Sequence, residues 1–195
     1  MGLISLNNQY NENEREILLN LAKASIKSGL DFGKPLAVEI SQFPPHLTER
    51  CASFVTLEIK GKLRGCIGML EAVRPLAEDI TENAFSAAFK DPRFPALEAS
   101  EFDKLDIHLS ILSAPEPMQF TSEEDLLSQL RPGIDGVILA LGHRRGTFLP
   151  SVWESLPESW QFLNHLKQKA GFKPDYWNDT LSIQRYTTEY IKQTP

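Results

Sequence analysis

SFVTLEIKGKLRGCIGML (residues 53–70) alternates apolar and polar side chains on both sides of a glycine, the pattern of two strands joined by a tight turn. Taking Gly61-Lys62 as a two-residue type II′ turn pairs Lys60 with Leu63, Ile59 with Arg64, Leu57 with Cys66 and Val55 with Gly68. That register puts Arg64 and Cys66 on the side of Val55, Leu57 and Ile59, where a cysteine packs as a small core residue and burial keeps it inert. Other features of the same stretch point to chemistry. Arg64 on the thiol's face favours a thiolate and can hold an anionic group. Gly65 and Gly68 mark a bulge or a close approach by a ligand or another backbone, and main-chain N–H groups freed there could stabilise an oxyanion. A bulge at Gly65 would turn Cys66 to the opposite face, beside Thr56 and Glu58.

Working outward, Ile17, Leu18, Leu21, Ala22 and Ala24 repeat at helical spacing, with Asn13 and Glu16 as N-cap and N3 partner and Gly29 as the stop. Residues 32–50 carry Pro35, Pro44 and Pro45 and read as irregular chain with at most a short strand. RPLAEDITENAFSAAF (residues 74–89) is helical, with Leu76, Ile80, Ala84 and Ala88 along one face, and Asp91-Pro92 ends it. In LDIHLSIL (residues 105–112), Leu105, Ile107, Leu109 and Ile111 face one way and Asp106, His108 and Ser110 the other.

Thr121 and Glu124 suggest a capping box for a short helix that Pro132-Gly133 stops. GVILAL, the turn GHRRG and TFLP suggest a second hairpin, Ser159 to Ala170 a helix, and LSIQRYTTEYI one closing strand. Hairpins separated by helices, without regular βαβ alternation, predict an α+β (mixed α/β) fold with a mainly antiparallel sheet flanked by helices.

The 195 residues suit a single domain, residues 1–195, and 42% apolar with 24% charged residues predicts a packed core. A net charge of −6 argues against nucleic acid or anionic lipid as partner. His143-Arg144-Arg145, the one basic cluster, reads as a solvated turn. No signal peptide or apolar run of membrane-spanning length is present, so the expected location is the cytoplasm. Cys51 and Cys66 form no CxxC motif, and His46, His108, His143 and His165 show no HxH or HExxH spacing. The sequence therefore specifies no metal or cofactor, although ligands brought together only by folding stay open. His108 is the best sequence candidate for a base to the thiol, provided that its strand and the hairpin share a sheet. Arg93 in DPRFP and Asp135 in GIDG sit on tight turns, where they cap backbone or line a cleft.

Taken together, FVTLEIKGKLRGCIG, RPLAEDITENAFSAAFKDPRFPAL, IHLSIL, PGIDGVIL, GTFLPSVWESLP and FLNHLKQKAGF resemble the AMMECR-type domain, the A component of the AmmeMemoRadiSam system. The resemblance runs in order from about Glu14 to Tyr190. It implies two unequal lobes, the larger holding both termini and the smaller built from internal segments, with LRGCIG in or beside the cleft between them. It also implies a Memo-like protein and a radical SAM protein as partners, in a family whose activity is not established. Carried over by motif, the site residues are Leu63, Arg64, Gly65, Cys66, Ile67, Gly68, Asp91, Arg93, Phe94, Asp135, Gly136, Phe148, Pro150 and Trp153. Two functions follow as expectations: Cys66 as a thiol nucleophile or carrier, with Arg64 and His108 as its catalytic neighbours, or a non-catalytic adaptor whose cleft holds a peptide, small ligand or partner. The oligomeric state is not specified.

Overall fold

The computed structural model describes residues 9–192. In chain order the elements are α1 (Glu12–Phe32), α2 (Pro45–Thr48), β1 (Ala52–Ile59), β2 (Lys62–Gly68), α3 (Leu76–Phe89), β3 (Leu105–Leu112) and β4 (Glu116–Pro117). They continue with α4 (Glu123–Gln129), β5 (Gly136–Leu141), β6 (Arg144–Phe148), α5 (Ser159–Lys169), β7 (Ser182–Tyr186) and β8 (Thr188–Lys192). The sheets have the orders β2-β1-β3-β8 and β4-β7-β5-β6, with antiparallel pairing, so the fold is α+β as its hairpin pattern predicts. The chain divides into two compact units, one of residues 9–112 with 189–192 and the other of residues 113–188.

In the first unit, Val55, Leu57, Ile107 and Leu109 point from the sheet into a core shared with Leu18, Ala22 and Ile26 of α1 and Leu76, Ile80 and Ala84 of α3. These helices bury a stripe at i, i+4 spacing, as amphipathic helices do. Thr56, Glu58, His108 and Ser110 alternate with the core residues and form the sheet's opposite, part-exposed face. In the second unit, Val137, Leu139 and Ile183 pack with Phe162, Leu163 and Leu166 of α5 and with Trp153.

Several local expectations are corrected. Helix α1 starts two residues earlier, with Asn11 as N-cap and Glu14 closing the capping box. Both frames satisfy N-x-x-E, and the earlier one adds a turn whose Glu14 is buried. The helix also runs through Gly29, which packs against the Phe89 ring, and stops at Gly33. Residues 32–50 follow the expected irregular path, with a 3-10 turn and α2 and no strand. In α4 the N-cap is Ser122, and Asp125 rather than Glu124 reaches back, accepting from the Thr121 N–H and hydroxyl. The β5–β6 loop is only Gly142-His143, so Arg144 and Arg145 extend an edge strand instead of lying in a turn. The closing stretch is two strands: β7 ends at Tyr186 in one sheet and β8 starts at Thr188 in the other.

Candidate functional site

The β1–β2 hairpin departs from its expected register in two ways. Its loop is Lys60-Gly61, both at positive φ (54° and 71°), which makes a type I′ turn and pairs Ile59 with Lys62 and Glu58 with Leu63. Arg64 is then an extra residue, because Leu57 pairs with Gly65 and Thr56 with Cys66. The bulge reverses the inside–outside phase of the rest of β2. Cys66 therefore lies on the part-exposed face beside Thr56, not among Val55 and Leu57, and the bulge is at Arg64, one residue before the expected position. Gly65 takes the core-facing position, where a Cβ would run into the Ala87 carbonyl of α3. Its close approach is to another backbone, and Gly68 likewise lies against the Ser53 carbonyl and the Phe54 ring.

The guanidinium at the thiol belongs to Arg93 instead of Arg64. Arg64 forms a two-pronged ion pair with Glu101 (Nε to Oε1 2.7 Å, Nη2 to Oε2 2.9 Å), which pulls the Glu101 carboxyl down to about 2 and raises the guanidinium. The bulge geometry gives Arg64 this partner, and with it a side chain that is 11% exposed. Arg93, by contrast, donates to the Cys66 carbonyl at 3.2 Å and to both oxygens of Asp91. Its own protonation is reinforced first by the Asp91 hydrogen bond and further by Cys66. The Phe94 ring neighbours both guanidiniums, its centroid 6.0 Å from Arg64 Cζ and 5.6 Å from Arg93 Cζ.

Asp91 completes the clamp. It accepts from the Cys66 N–H (2.9 Å), the Arg93 N–H and the Arg93 side chain, which together hold its carboxyl far below the usual carboxylate range, the Arg93 side chain contributing most. Strand β2 is a sheet edge, so the outward N–H and C=O of Cys66 would otherwise be unpaired; Asp91 and Arg93 supply what a further strand would. Because those groups point away from β1, Thr56 and Cys66 are a non-hydrogen-bonded pair with closely spaced side chains. The Thr56 hydroxyl donates to Cys66 Sγ at 3.2 Å. His108 does share this sheet, directly across β1 from the thiol, with Thr56 between them. Its Nε2 is 3.7 Å from Glu58 Oε2. Leu63 is exposed at the start of β2, and Ile67 packs against the core. Cys51, the other thiol, is pushed up to about 11, mainly by burial.

The AMMECR1 family model matches residues 19–191, which include every residue of this cluster. The chain belongs to the AMMECR1 family. A Methanothermobacter thermautotrophicus protein is 39% identical over 171 residues, 85% of this chain and 86% of its own length. A Thermotoga maritima protein is 38% identical over 86% of this chain and 92% of its own. The crystal structure of the uncharacterized protein PH0010 from Pyrococcus horikoshii is similar with a TM-score of 0.79 and 33% identity, covering 90% of this chain and 89% of that one.

The remaining motif residues of this AMMECR1-family chain gather in the second unit. Asp135 is fully buried, accepts from the Arg131 N–H and guanidinium, and through its carbonyl accepts from Trp153 Nε1 at 2.7 Å. Trp153 stacks on Phe162 at 3.8 Å, and Phe148 meets the same ring edge-on. Gly136 lies against the Tyr186 ring, and Pro150 opens the buried 3-10 turn that carries Trp153. These contacts tie down the unit's own loops and core. Among the described residues, no three His, Cys, Asp or Glu side chains form a metal-holding group and no helix is long and apolar enough to cross a membrane. Sequence reasoning passed over Glu101, and treated Thr56 only as a neighbour; the signal for Thr56 was its place opposite LRGCIG in the correct register.

Proposed function

We propose that this AMMECR1-family protein acts in the cytoplasm through Cys66, as a thiol nucleophile or thiol carrier in a modification pathway shared with Memo-like and radical SAM partners. The observation that carries this reading is a half-buried Cys66 whose Sγ is held by the Thr56 hydroxyl and whose main-chain carbonyl, at the sheet edge, accepts from the half-exposed Arg93 guanidinium. A nearby cation favours the thiolate, the reactive form of cysteine. Arg93 takes the role that the sequence suggested for Arg64. Iodoacetamide labelling read by peptide mass spectrometry tests it: near neutral pH Cys66 labels faster than Cys51, and equal labelling of the two in the native protein sinks the proposal.

A second reading, an adaptor without chemistry, is favoured by one specific observation: the charges of Arg64 and Asp91 are spent on internal partners. Co-purification with a Memo-like or radical SAM protein that survives Cys66→Ser, in a pathway that still runs, would select it.

A further inference from the structure

We propose that Thr56 relays the Cys66 thiol proton to His108, so that the row Cys66–Thr56–His108 across three strands stores the thiol as a thiolate–imidazolium pair. This rests on the thiol reading above. The main-chain groups of Cys66 point outward to Asp91 and Arg93, so those of Thr56 point the other way, toward β3. Thr56 and His108 are therefore a hydrogen-bonded strand pair, with Cα atoms about 5.5 Å apart and side chains on one face. Thiol and imidazole are separated by two strand spacings, roughly 10 Å, too far for direct transfer.

The hydroxyl is the group that spans this gap. It already reaches Sγ at 3.2 Å; it makes no hydrogen bond to His108 in this structure, and with Glu58 3.7 Å from Nε2, Nδ1 is the nitrogen that a turn of the imidazole about its side-chain bonds would bring to the hydroxyl. In the step, Thr56 Oγ takes the proton from Cys66 S–H while its own hydroxyl proton passes to His108 Nδ1. No bond other than O–H, S–H and N–H changes. The hydroxyl ends as a donor to sulfur, across the same 3.2 Å contact. Glu58 then faces the imidazolium, and Asp106, opposite Glu58 in the ladder, adds a second negative charge on that side. At the other end of the row, the Arg93 guanidinium lies beside Cys66, donating to its carbonyl at 3.2 Å.

Iodoacetamide kinetics at Cys66 near neutral pH, together with thiolate absorbance near 240 nm, test the relay. Thr56→Val and His108→Asn each slow alkylation about tenfold, the scale of one hydrogen bond to a charged group, and each lowers the absorbance. Thr56→Ser restores both, because it returns the hydroxyl. The double variant is no slower than the slower single one, since both break one path. A wild-type rate in His108→Asn, or a double variant showing the product of the two single effects, overturns the relay while leaving a reactive thiol. A wild-type Cys66 no faster than Cys51 removes the thiol reading itself. Should Thr56→Val not fold, His108→Asn and Thr56→Ser still decide the outcome.

Discussion

Replacing Asp91 with asparagine tests the clamp that fixes the thiol's backbone. The carboxylate accepts four hydrogen bonds: from the Cys66 N–H (2.9 Å), the Arg93 N–H (3.1 Å), Arg93 Nε (2.9 Å) and Arg93 Nη2 (2.6 Å). Oδ2 serves Cys66 and Nη2, and Oδ1 serves the two remaining donors. An amide has only one accepting oxygen, so its NH2 must face two donors in either orientation. The cheaper orientation keeps the oxygen on Cys66, because the Arg93 side chain is 54% exposed and can turn to water. What is lost is one main-chain contact, one solvent-screened guanidinium contact and the charge on the others. With hydrogen bonds to charged groups near 1.5–3 kcal/mol, and less where exposed, the sum is about 2–3 kcal/mol. For a chain of this size that lowers the melting temperature by roughly 5–10 °C.

Differential scanning calorimetry at neutral pH measures the shift, and a drop below about 1 °C would refute the reasoning. Acid titration supplies a second arm. The Asp91 carboxyl is held below its unfolded value, so its contribution is complete above that value and fades as pH falls toward the folded one. The gap between wild type and Asp91→Asn is constant above about pH 5 and narrows below about pH 4, where a free aspartate protonates.

Glu101→Gln removes the partner of Arg64. Its carboxyl is pulled down to about 2, chiefly by the Arg64 hydrogen bond, so wild-type stability exceeds the variant's above the ordinary glutamate range and the difference disappears as pH falls toward 2; urea midpoints across that range check it. Glu123→Gln strands Lys167, whose side chain is 1% exposed and bonded to Glu123 and the Pro174 carbonyl, and should cost about 3 kcal/mol. Lys167→Met should cost less in the same denaturation assay, because Glu123 is 33% exposed and can be solvated. Gly65→Ala drives a Cβ into the Ala87 carbonyl and should destabilise by about 1–3 kcal/mol, whereas an unchanged melting temperature would show that β2 and α3 can part freely.

The elements with one consistent periodicity were legible from the residues alone. Leu105, Ile107, Leu109 and Ile111 are all buried, and so are Leu76, Ile80, Ala84 and Ala88, because each set fits one face of one element. Legibility fails where two local frames compete and tertiary packing chooses. Asn11 and Asn13 each stand three residues before a glutamate, and Ser122 and Thr121 compete likewise at α4. LSIQRYTTEYI holds one continuous β-favouring pattern, and nothing local marks Thr187 as the break between sheets. At the site, DPRF and LRGCIG both stand out in the sequence, but their roles depend on the bulge. Charge pairing of Arg64 with Glu101, and of Arg93 with Asp91 at Cys66, is set by the folded path of residues 90–101, which no periodicity reports.

The single extra residue at Arg64 makes this hairpin intolerant of length change in a way that substitutions do not reveal. Inserting one residue between the Lys60-Gly61 turn and Arg64, with the bulge kept, would bring the thiol opposite Val55 and aim it at α3, while Gly65 would come opposite Thr56 on the open face. An alignment gap placed inside KGKLRGC would thus equate residues that point in opposite directions. For relatives of this chain, spacing from the turn to the cysteine is as informative as the cysteine itself.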